Sequence, residues 1–378
     1  MPSYSGVWTL QAQMQAEAAG NWPKPPVGLF SWGKNNYGQL GLENVVYRSS
    51  PVQVGALTTW SQIAGGNQFT IATKTDGTLW SWGYNGYGTL GLGDTVYRSS
   101  PVQVGLLTTW YEVAAGNTFT VAVKTNGTLW SWGRNSFGNL SLGDTVSRSS
   151  PVQVGALTTW YEVAAGANFA IAIKTDGTMW SWGKNNNGQL GLGDVVYRSS
   201  PVQVGALTTW YKVASGGYFN VAIKTDGTLW SWGQNNAGQL GLGDVVLRSS
   251  PVQVGALTTW YQLAAGNGHT IATKTDGTLW DWGVNNDGEL GLNDVANRSS
   301  PVQVGALTTW YQTAGAADHT IATKTDGTLW SWGENNTGKL GLGDVVNRSS
   351  PVQIGALTTW LTLPKMPMSN FSLAIRKL

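Results

Sequence analysis

Residues 316–344 read AADHTIATKTDGTLWSWGENNTGKLGLGD, and most of the chain consists of near-copies of this stretch and its flanks. The dipeptide Trp-Gly occurs seven times at a spacing of 50 residues, from positions 32/33 to 332/333. A second series, Thr-Thr-Trp, keeps the same spacing from Trp60 to Trp360. Because the period never slips, the sequence indicates one supersecondary unit copied seven times rather than several domains.

Each repeat has the pattern of four short β-strands. One copy predicts strands over 110–114 and 119–125, an Asn-Gly hairpin turn, a third strand over 128–132 and a fourth over 151–154. Four antiparallel strands per repeat, seven times over, predict an all-β fold, a seven-bladed β-propeller.

The two chain ends complement each other. The first copy starts at its third strand, whereas the last copy supplies a first strand at Trp360 and a second at 371–375. Two strands from each end are therefore expected to build the seventh blade and close the ring. The sequence predicts a propeller over 29–378, preceded by a short segment and Pro-rich linker over 1–28.

Composition excludes several classes of protein. The chain has 22 Trp and no Cys, and its 22 basic residues nearly balance 20 acidic ones. Disulfide scaffolds, Cys-ligated metal sites, disordered chains and nucleic-acid binders that work by bulk positive charge are therefore not expected. No apolar run is long enough for membrane insertion, and the N-terminus lacks the pattern of a secretory signal peptide.

The repeated residues are typical of framework positions. Strand alternation puts Trp80 and Trp82 on one face, which predicts packing between blades. His269 and His319 share a position that is Phe in other copies, so we expect buried structural histidines. Asp94 and its copies precede a repeated Arg by four residues, which favours an Asp–Arg pair or an Asx turn over a calcium loop.

Two further predictions concern charge and chemistry. Lys74 and its copies lie beside a hairpin turn and are expected to be solvated. Each Ser and Thr recurs in nearly every repeat, whereas a catalytic site needs one unique constellation. The sequence therefore predicts no enzyme activity, no cofactor and no metal.

The motif SWG-x-N-x-x-G-x-L-G, with its last Gly replaced only by Ser141, resembles the repeat of the regulator of chromosome condensation family. The resemblance covers the chain from Leu29 to about Lys377 and implies a seven-bladed propeller. Founding members exchange nucleotide on a small GTPase and bind chromatin, using inserted elements and tails. This chain has no insertion within its repeats and no basic tail, so neither activity is expected of it. A relative that inhibits β-lactamases through an aromatic-lined face implies that the fold can serve as a binding platform.

The first 28 residues carry a second resemblance, to short segments of tail and fibre-type structural proteins of marine bacteriophages. Within them, Leu10 and Met14 share one face of a predicted helix, and Trp8 and Trp22 are the two Trp outside the repeats. These four residues are candidates for attachment to other virion proteins. The alternative, that the segment packs over one propeller face, stays open.

Differences between copies concentrate on one face of the predicted propeller. The loops after strands one and three vary, whereas the Asp-Gly hairpins and Gly-Ala-Leu-Thr-Thr connections on the other face hardly change. Aromatic and basic residues gather in one arc of the variable loops, opposite acidic residues such as Asp287, Glu289, Asp318 and Glu334. The predicted partner-binding residues are Lys34, Tyr37, Tyr47, Tyr84, Tyr87, Tyr97, Arg134, Phe137, Lys184 and Tyr197.

Tyr together with Arg is the composition of a binding hot spot, so we expect a protein or glycan partner on this arc. Drift after duplication is the alternative explanation for the variation. The sequence favours a non-catalytic structural or recognition protein of a bacteriophage virion, of the tail-fibre or decoration type. A free protein-binding propeller, such as a bacterial inhibitor or scaffold, and a carbohydrate-binding propeller are the alternatives.

Overall fold

The computed structural model describes residues 26–56 and 59–378. These residues form 28 strands in seven four-stranded antiparallel sheets, each of which is one blade of a propeller. The predicted seven-bladed all-β fold is confirmed. We call the face with the variable loops the loop face, and the face with the Asp-Gly turns and interblade connections the hairpin face.

The first six blades follow chain order, and each runs from its innermost to its outermost strand. Blade 1 contains β3 (Trp60–Gly65), β4 (Phe69–Lys74), β5 (Leu79–Gly83) and β6 (Arg98–Gln103). Blade 2 contains β7 (Trp110–Ala115), β8 (Phe119–Lys124), β9 (Leu129–Gly133) and β10 (Arg148–Gln153). Blade 3 contains β11 (Trp160–Ala165), β12 (Phe169–Lys174), β13 (Met179–Gly183) and β14 (Arg198–Gln203).

The same pattern continues around the ring. Blade 4 contains β15 (Trp210–Ser215), β16 (Phe219–Lys224), β17 (Leu229–Gly233) and β18 (Arg248–Gln253). Blade 5 contains β19 (Trp260–Ala265), β20 (His269–Lys274), β21 (Leu279–Gly283) and β22 (Arg298–Gln303). Blade 6 contains β23 (Trp310–Gly315), β24 (His319–Lys324), β25 (Leu329–Gly333) and β26 (Arg348–Gln353).

Blade 7 closes the ring with strands from both chain ends. Its order is β27 (Trp360–Thr362), β28 (Phe371–Lys377), β1 (Val27–Gly33) and β2 (Arg48–Gln53), from the inside outwards. The strands β1 and β28 pair without interruption from Val27 opposite Lys377 to Gly33 opposite Phe371. Ring closure by two strands from each end is therefore confirmed. The first strand begins two residues before the boundary expected at residue 29.

The outermost strand is longer than the sequence indicated. It begins at Arg148 in blade 2, three residues before the predicted start at residue 151. Arg148 pairs with Gly133, and the register then shifts before Val152 pairs with Ser131. A bulge of this kind does not appear in the pattern of apolar residues, which marks only the regular part of a strand.

Tryptophan fills the space between neighbouring blades. Trp82 is fully buried, and its indole N–H donates to the carbonyl of Gln39 in the preceding repeat at 2.9 Å. The buried Trp60 meets the rings of Trp80 and Trp82 at centroid distances of 6.3 and 5.7 Å. The predicted packing between blades is confirmed, and the Thr-Thr-Trp series belongs to the same core.

Lys74 corrects one of our predictions. It is buried rather than solvated, and its ammonium lies 3.6 Å from the centroid of the Trp80 ring. Lys74 pairs with Trp60 across the inner strands, which carries the ammonium over the neighbouring indoles. The cation–π contact compensates for lost hydration. Burial lowers the pKa of Lys74, while the nearby Asp76 carboxylate opposes that shift.

The segment 363–370 between β27 and β28 enters the central channel. There the ammonium of Lys365 donates to Glu112 Oε1 at 2.6 Å and to the carbonyl of Val163 at 3.0 Å. Glu162 lies 3.6 Å from the same ammonium. The closing blade is therefore tied across the axis to blades 2 and 3, as well as by the β1–β28 pairing.

Candidate functional site

Each long loop of the loop face is held by one asparagine. In blade 1, Asn85 Oδ1 accepts a hydrogen bond from the N–H of Leu90 at 2.9 Å. Its amide nitrogen donates to the carbonyls of Asp94 and Val96 at 3.0 and 3.1 Å. The Asn–Leu bond recurs in all seven repeats, so the loops share one backbone shape.

The end of the loop is held by the predicted Asp–Arg pair. Asp94 Oδ2 lies 2.6 Å from Arg98 Nη2, and its Oδ1 accepts from the N–H of Val96 at 2.9 Å. The Val96 hydrogen bond and the Arg98 charge hold the pKa of Asp94 below its usual value. Five later copies form the same pair at 2.5 to 2.6 Å, so these charges are framework.

Four tyrosines from two adjacent loops, which share this backbone conformation, form one cluster. The ring of Tyr84 lies 5.2 Å from that of Tyr37 and 5.0 Å from that of Tyr97. Tyr87 lies 6.2 Å from Tyr84, and the guanidinium of Arg134 stacks 4.8 Å from the Tyr87 centroid. Burial, followed by the neighbouring Tyr hydroxyls, raises the pKa of Tyr84. We call these five residues the tyrosine cluster.

A glycine makes room for the cluster. Most repeats carry Asn at the position of Gly86, two residues after the variable site at 84. In blade 1 a Cβ at Gly86 would collide with the hydroxyl of Tyr84. Tyr84 therefore lies where a side chain at residue 86 would lie.

A second, smaller group extends the arc over the next blades. The rings of Phe137 and Tyr197 meet edge to face at 5.7 Å. The ammonium of Lys184 lies 5.1 Å from the centroids of both Phe137 and Tyr218. Tyr218 was not among the predicted partner-binding residues, although it is the one aromatic residue at its loop position.

The remaining predicted residues are more loosely connected. The hydroxyl of Tyr47 donates to Asn36 within its own loop at 2.8 Å. Lys34 is held through its backbone N–H, which donates to the carbonyl of Asn370 at 3.2 Å. Trp8, Leu10, Met14 and Trp22 lie outside the described residues, so the attachment segment stays a prediction.

The opposite arc of the loop face is acidic and partly buried. Glu289 is 1% exposed, with Asp287 and Asp318 near it, and Glu334 lies near Asp318. Burial raises the pKa of Glu289 to about 7, helped by the Asp287 and Asp318 carboxylates, although backbone hydrogen bonds oppose the shift. Burial likewise raises the pKa of Asp318, against the effect of the Lys339 ammonium. Lys339 itself pairs with Glu334.

The two histidines are buried as predicted. His269 Nε2 is hydrogen-bonded to Thr320 Oγ1 at 2.9 Å, and His319 Nε2 to Ser372 Oγ at 2.6 Å. Burial lowers the pKa of His269 to about 3. Both rings occupy the aromatic slot that Phe fills elsewhere.

Across residues 26–56 and 59–378, no three or more His, Cys, Asp or Glu side chains are grouped so as to hold a metal ion. The same residues contain no helix with the length and hydropathy needed to cross a membrane.

Fold and loop face together define a seven-bladed β-propeller with a uniform framework and individual loop side chains. The chain belongs to the family described as Regulator of chromosome condensation (RCC1) repeat, which confirms the resemblance read from its motif. The family model matches residues 28–73, 76–123, 126–173, 176–223, 226–273, 276–323 and 326–361.

Solved structures share this fold at low sequence identity. The yeast protein in "Crystal structure of Kap60 bound to yeast RCC1 (Prp20)" aligns with a TM-score of 0.83 and 22% identity, covering 94% of this chain and 90% of that one. Human WBSCR16 aligns with a TM-score of 0.83 and 22% identity, covering 93% of this chain and 100% of that one. A structure of Prp20p from Saccharomyces cerevisiae aligns with a TM-score of 0.81 and 22% identity, covering 94% of this chain and 93% of that one. No curated protein matches this sequence.

The buried acid of blade 5 predicts a pH-dependent stability. A carboxyl whose pKa is raised in the folded state binds its proton more tightly there, so the free energy of unfolding falls as pH rises from about 4.5 to about 7. Glu289→Gln is expected to raise that free energy by about 3 kcal/mol at pH 8 and by little at pH 4. Urea unfolding at the two pH values measures the difference.

The neighbouring repeat offers a matched control. Gln239 is equally buried at the equivalent position and accepts a comparable backbone hydrogen bond, from Ala237. Gln239→Glu should therefore introduce a loss of stability between pH 4 and pH 8 of the same sign but smaller, because Ala237 and Gly268 stand where Asp287 and Asp318 lie near Glu289. An equal effect of Glu289→Gln at both pH values would contradict the assignment.

Proposed function

We propose that this chain is a non-catalytic recognition propeller that binds a protein partner through the aromatic arc of its loop face. The arc consists of the tyrosine cluster and the group around Phe137, together with Lys34 and Tyr47. The observation that carries the proposal is the tyrosine cluster, in which four Tyr rings contact one another and Arg134 stacks on one of them. The backbone that holds the cluster is the same in every repeat. Drift after duplication is the alternative, and the variants described below separate it from partner binding.

The chemistry of the arc fits a protein surface. Tyr offers a large contact area with few rotatable bonds, and Tyr with Arg dominates the energetics of many interfaces. The cluster is already packed before binding, since its rings contact one another at about 5 Å, so little ordering remains for a partner to impose.

Charge suggests how the partner is oriented. Arg134, Lys34 and Lys184 lie in the aromatic arc, and Asp287, Asp318 and Glu334 lie across the loop face. A partner with an acidic surface over the aromatic arc and a basic surface over the acidic arc is complementary to this arrangement. The yeast relative was crystallised bound to Kap60, and Prp20p has binding properties towards Gsp1p and histones, which supports protein recognition as the mode of action.

We also propose that residues 1–28 attach the propeller to other proteins of a bacteriophage virion. The support is the resemblance of that segment to phage structural proteins and the place where it joins the fold. Val27 is at the start of β1 and forms a bridge with Thr59 of an interblade connection, so the preceding chain joins on the hairpin face. Attachment there leaves the loop face free for a partner.

Partner binding is expected to depend on the arc. A photo-crosslinking residue at position 87 would first identify the partner, and calorimetry with the purified partner would then measure affinity. Tyr84→Ala, Tyr87→Ala and Phe137→Ala together should weaken binding by at least about 100-fold, because they remove two hot-spot contacts or more.

Tyr111→Ala with Tyr161→Ala is the control, since these side chains lie on the hairpin face and are 44 and 46% exposed, close to the 39% of Tyr87. Unchanged affinity is expected for the control pair. If the triple variant of the arc bound as tightly as the unaltered protein, the arc would not be the binding site.

The attachment proposal has its own test. A chain lacking residues 1–25 retains all 28 strands, so it should unfold at the same temperature as the full chain. It should, however, be missing from purified virions when co-expressed with the phage structural proteins. Incorporation of the shortened chain at normal levels would rule out attachment through this segment.

A further inference from the structure

Five tyrosines ring the axis on the hairpin face. Each directly follows the Trp that begins an innermost strand, and each is 44 to 49% exposed. They are Tyr111, Tyr161, Tyr211, Tyr261 and Tyr311. The ring is open at blades 1 and 7, where Ser61 and Leu361 take the position. Because Tyr recurs at this position in five repeats, the sequence alone does not mark it as a binding residue. The side chains are nevertheless exposed and do not pack in the core.

A polar ring lies one residue further along the same strands. It is made of glutamine in three blades, glutamate in two, Lys212 and Thr362. A cavity of about 450 Å³ follows the axis past this ring, from the level of Gln62 to that of Ser215. Its deeper wall is mostly alanine, and residues 363–367 of the segment between β27 and β28 also line it. The cavity thus has a polar entrance, and the tyrosines lie one residue before the polar ring, outside the cavity wall.

Charges in the polar ring balance. The ammonium of Lys365 lies 2.6 Å from Glu112 Oε1 and 3.6 Å from Glu162 Oε1. Lys212 supplies the second positive charge. Two carboxylates therefore face two ammonium groups. A phosphate, a nucleotide or a polycation finds no net charge to bind, so the entrance favours an uncharged ligand.

Lys212 has hydrogen-bonding capacity left. Its ammonium donates to the carbonyl of Tyr261 and to Gln262 Oε1, both at 3.0 Å, which uses two of three N–H bonds. It also lies 5.1 and 4.8 Å from the ring centroids of Tyr211 and Tyr261. A free donor is thus held between two aromatic rings at the rim of the cavity.

The cavity wall also contains an unpaired hydroxyl. Thr313 Oγ1 is buried and has no hydrogen-bond partner among the described residues. A buried polar group in that state costs free energy until a ligand or water satisfies it. It adds a donor and an acceptor to those of the polar ring.

We propose that the entrance of the axial channel on the hairpin face binds a saccharide. A sugar ring is uncharged, presents hydroxyls that donate and accept, and has C–H faces that pack on aromatic rings. Lys212 and the glutamines of the polar ring bind the hydroxyls, and Tyr211 and Tyr261 contact the sugar faces. This site is on the opposite side of the molecule from the aromatic arc, so the two proposals stand or fall separately.

Isothermal calorimetry and saturation-transfer NMR with the full chain test the proposal. The probes are glucose, galactose, mannose, N-acetylglucosamine, maltose and chitobiose. At least one is expected to bind, and Lys212→Met or Tyr211→Ala with Tyr261→Ala should weaken that binding at least tenfold. Tyr47→Ala with Tyr197→Ala, on the loop face, should leave it unchanged.

A readout on the unaltered chain covers the case in which a variant misfolds. A saturating saccharide should slow nitration of Tyr211 and Tyr261 but not that of Tyr197, which has similar exposure on the other face. The proposal is overturned if none of the six probes binds. It is also overturned if binding persists in the folded Lys212 and Tyr211/Tyr261 variants, or if nitration of the rim tyrosines does not change.

Discussion

The packing of one buried indole against the next blade is the interaction on which the structure depends. The Trp of each Trp-Gly pair is buried in the gap between blades. In five of the seven repeats its indole N–H donates to a backbone carbonyl of the neighbouring repeat, as Trp132 does to Thr89 at 3.0 Å. A ring system with a single N–H sets both the distance and the orientation between blades. Seven Trp-filled gaps then close the ring, and the loops are carried to equivalent positions around it.

This arrangement separates two kinds of residue. The Trp, the loop Asn and the Asp–Arg pair are repeated and hold the backbone. Side chains at the variable loop positions project from that backbone and contact one another at the loop face, outside the Trp-filled gaps between blades. Recognition surfaces can therefore change while the framework stays the same, which is how a repeat fold acquires separate binding sites on separate faces.

Most of the fold could be predicted from the sequence, because the period and the complementary chain ends dictate a ring of seven blades. The aromatic slot of His269 followed from Phe at the same position in other copies. Lys74 was predicted wrongly, since its position in the chain does not reveal that strand pairing places its ammonium over Trp80. Pairing also extends the outermost strand to Arg148, through a bulge that has no apolar signature.

Sites were harder to predict than the fold. Variation between copies identified Tyr37, Tyr84, Tyr87 and Tyr97, but only the structure shows that they contact one another and that Gly86 makes room for them. Variation between copies did not identify the five exposed tyrosines of the hairpin face, because a residue that recurs in five blades resembles a structural residue. Exposure, rather than variation, distinguishes Tyr211 from the neighbouring buried Trp210.

The central claim is that stability lies in the gaps between blades and recognition lies in the loops. Urea unfolding of Trp132→Phe, compared with the loop variant Tyr87→Ala, tests it most directly. Trp132→Phe should lower the free energy of unfolding by about 2 to 4 kcal/mol, because it opens a cavity and removes the indole donor, which leaves the Thr89 carbonyl with the Thr120 hydroxyl at 3.1 Å. Tyr87→Ala should lower it by less than about 1 kcal/mol. Equal losses, or a larger loss for Tyr87→Ala, would contradict the account.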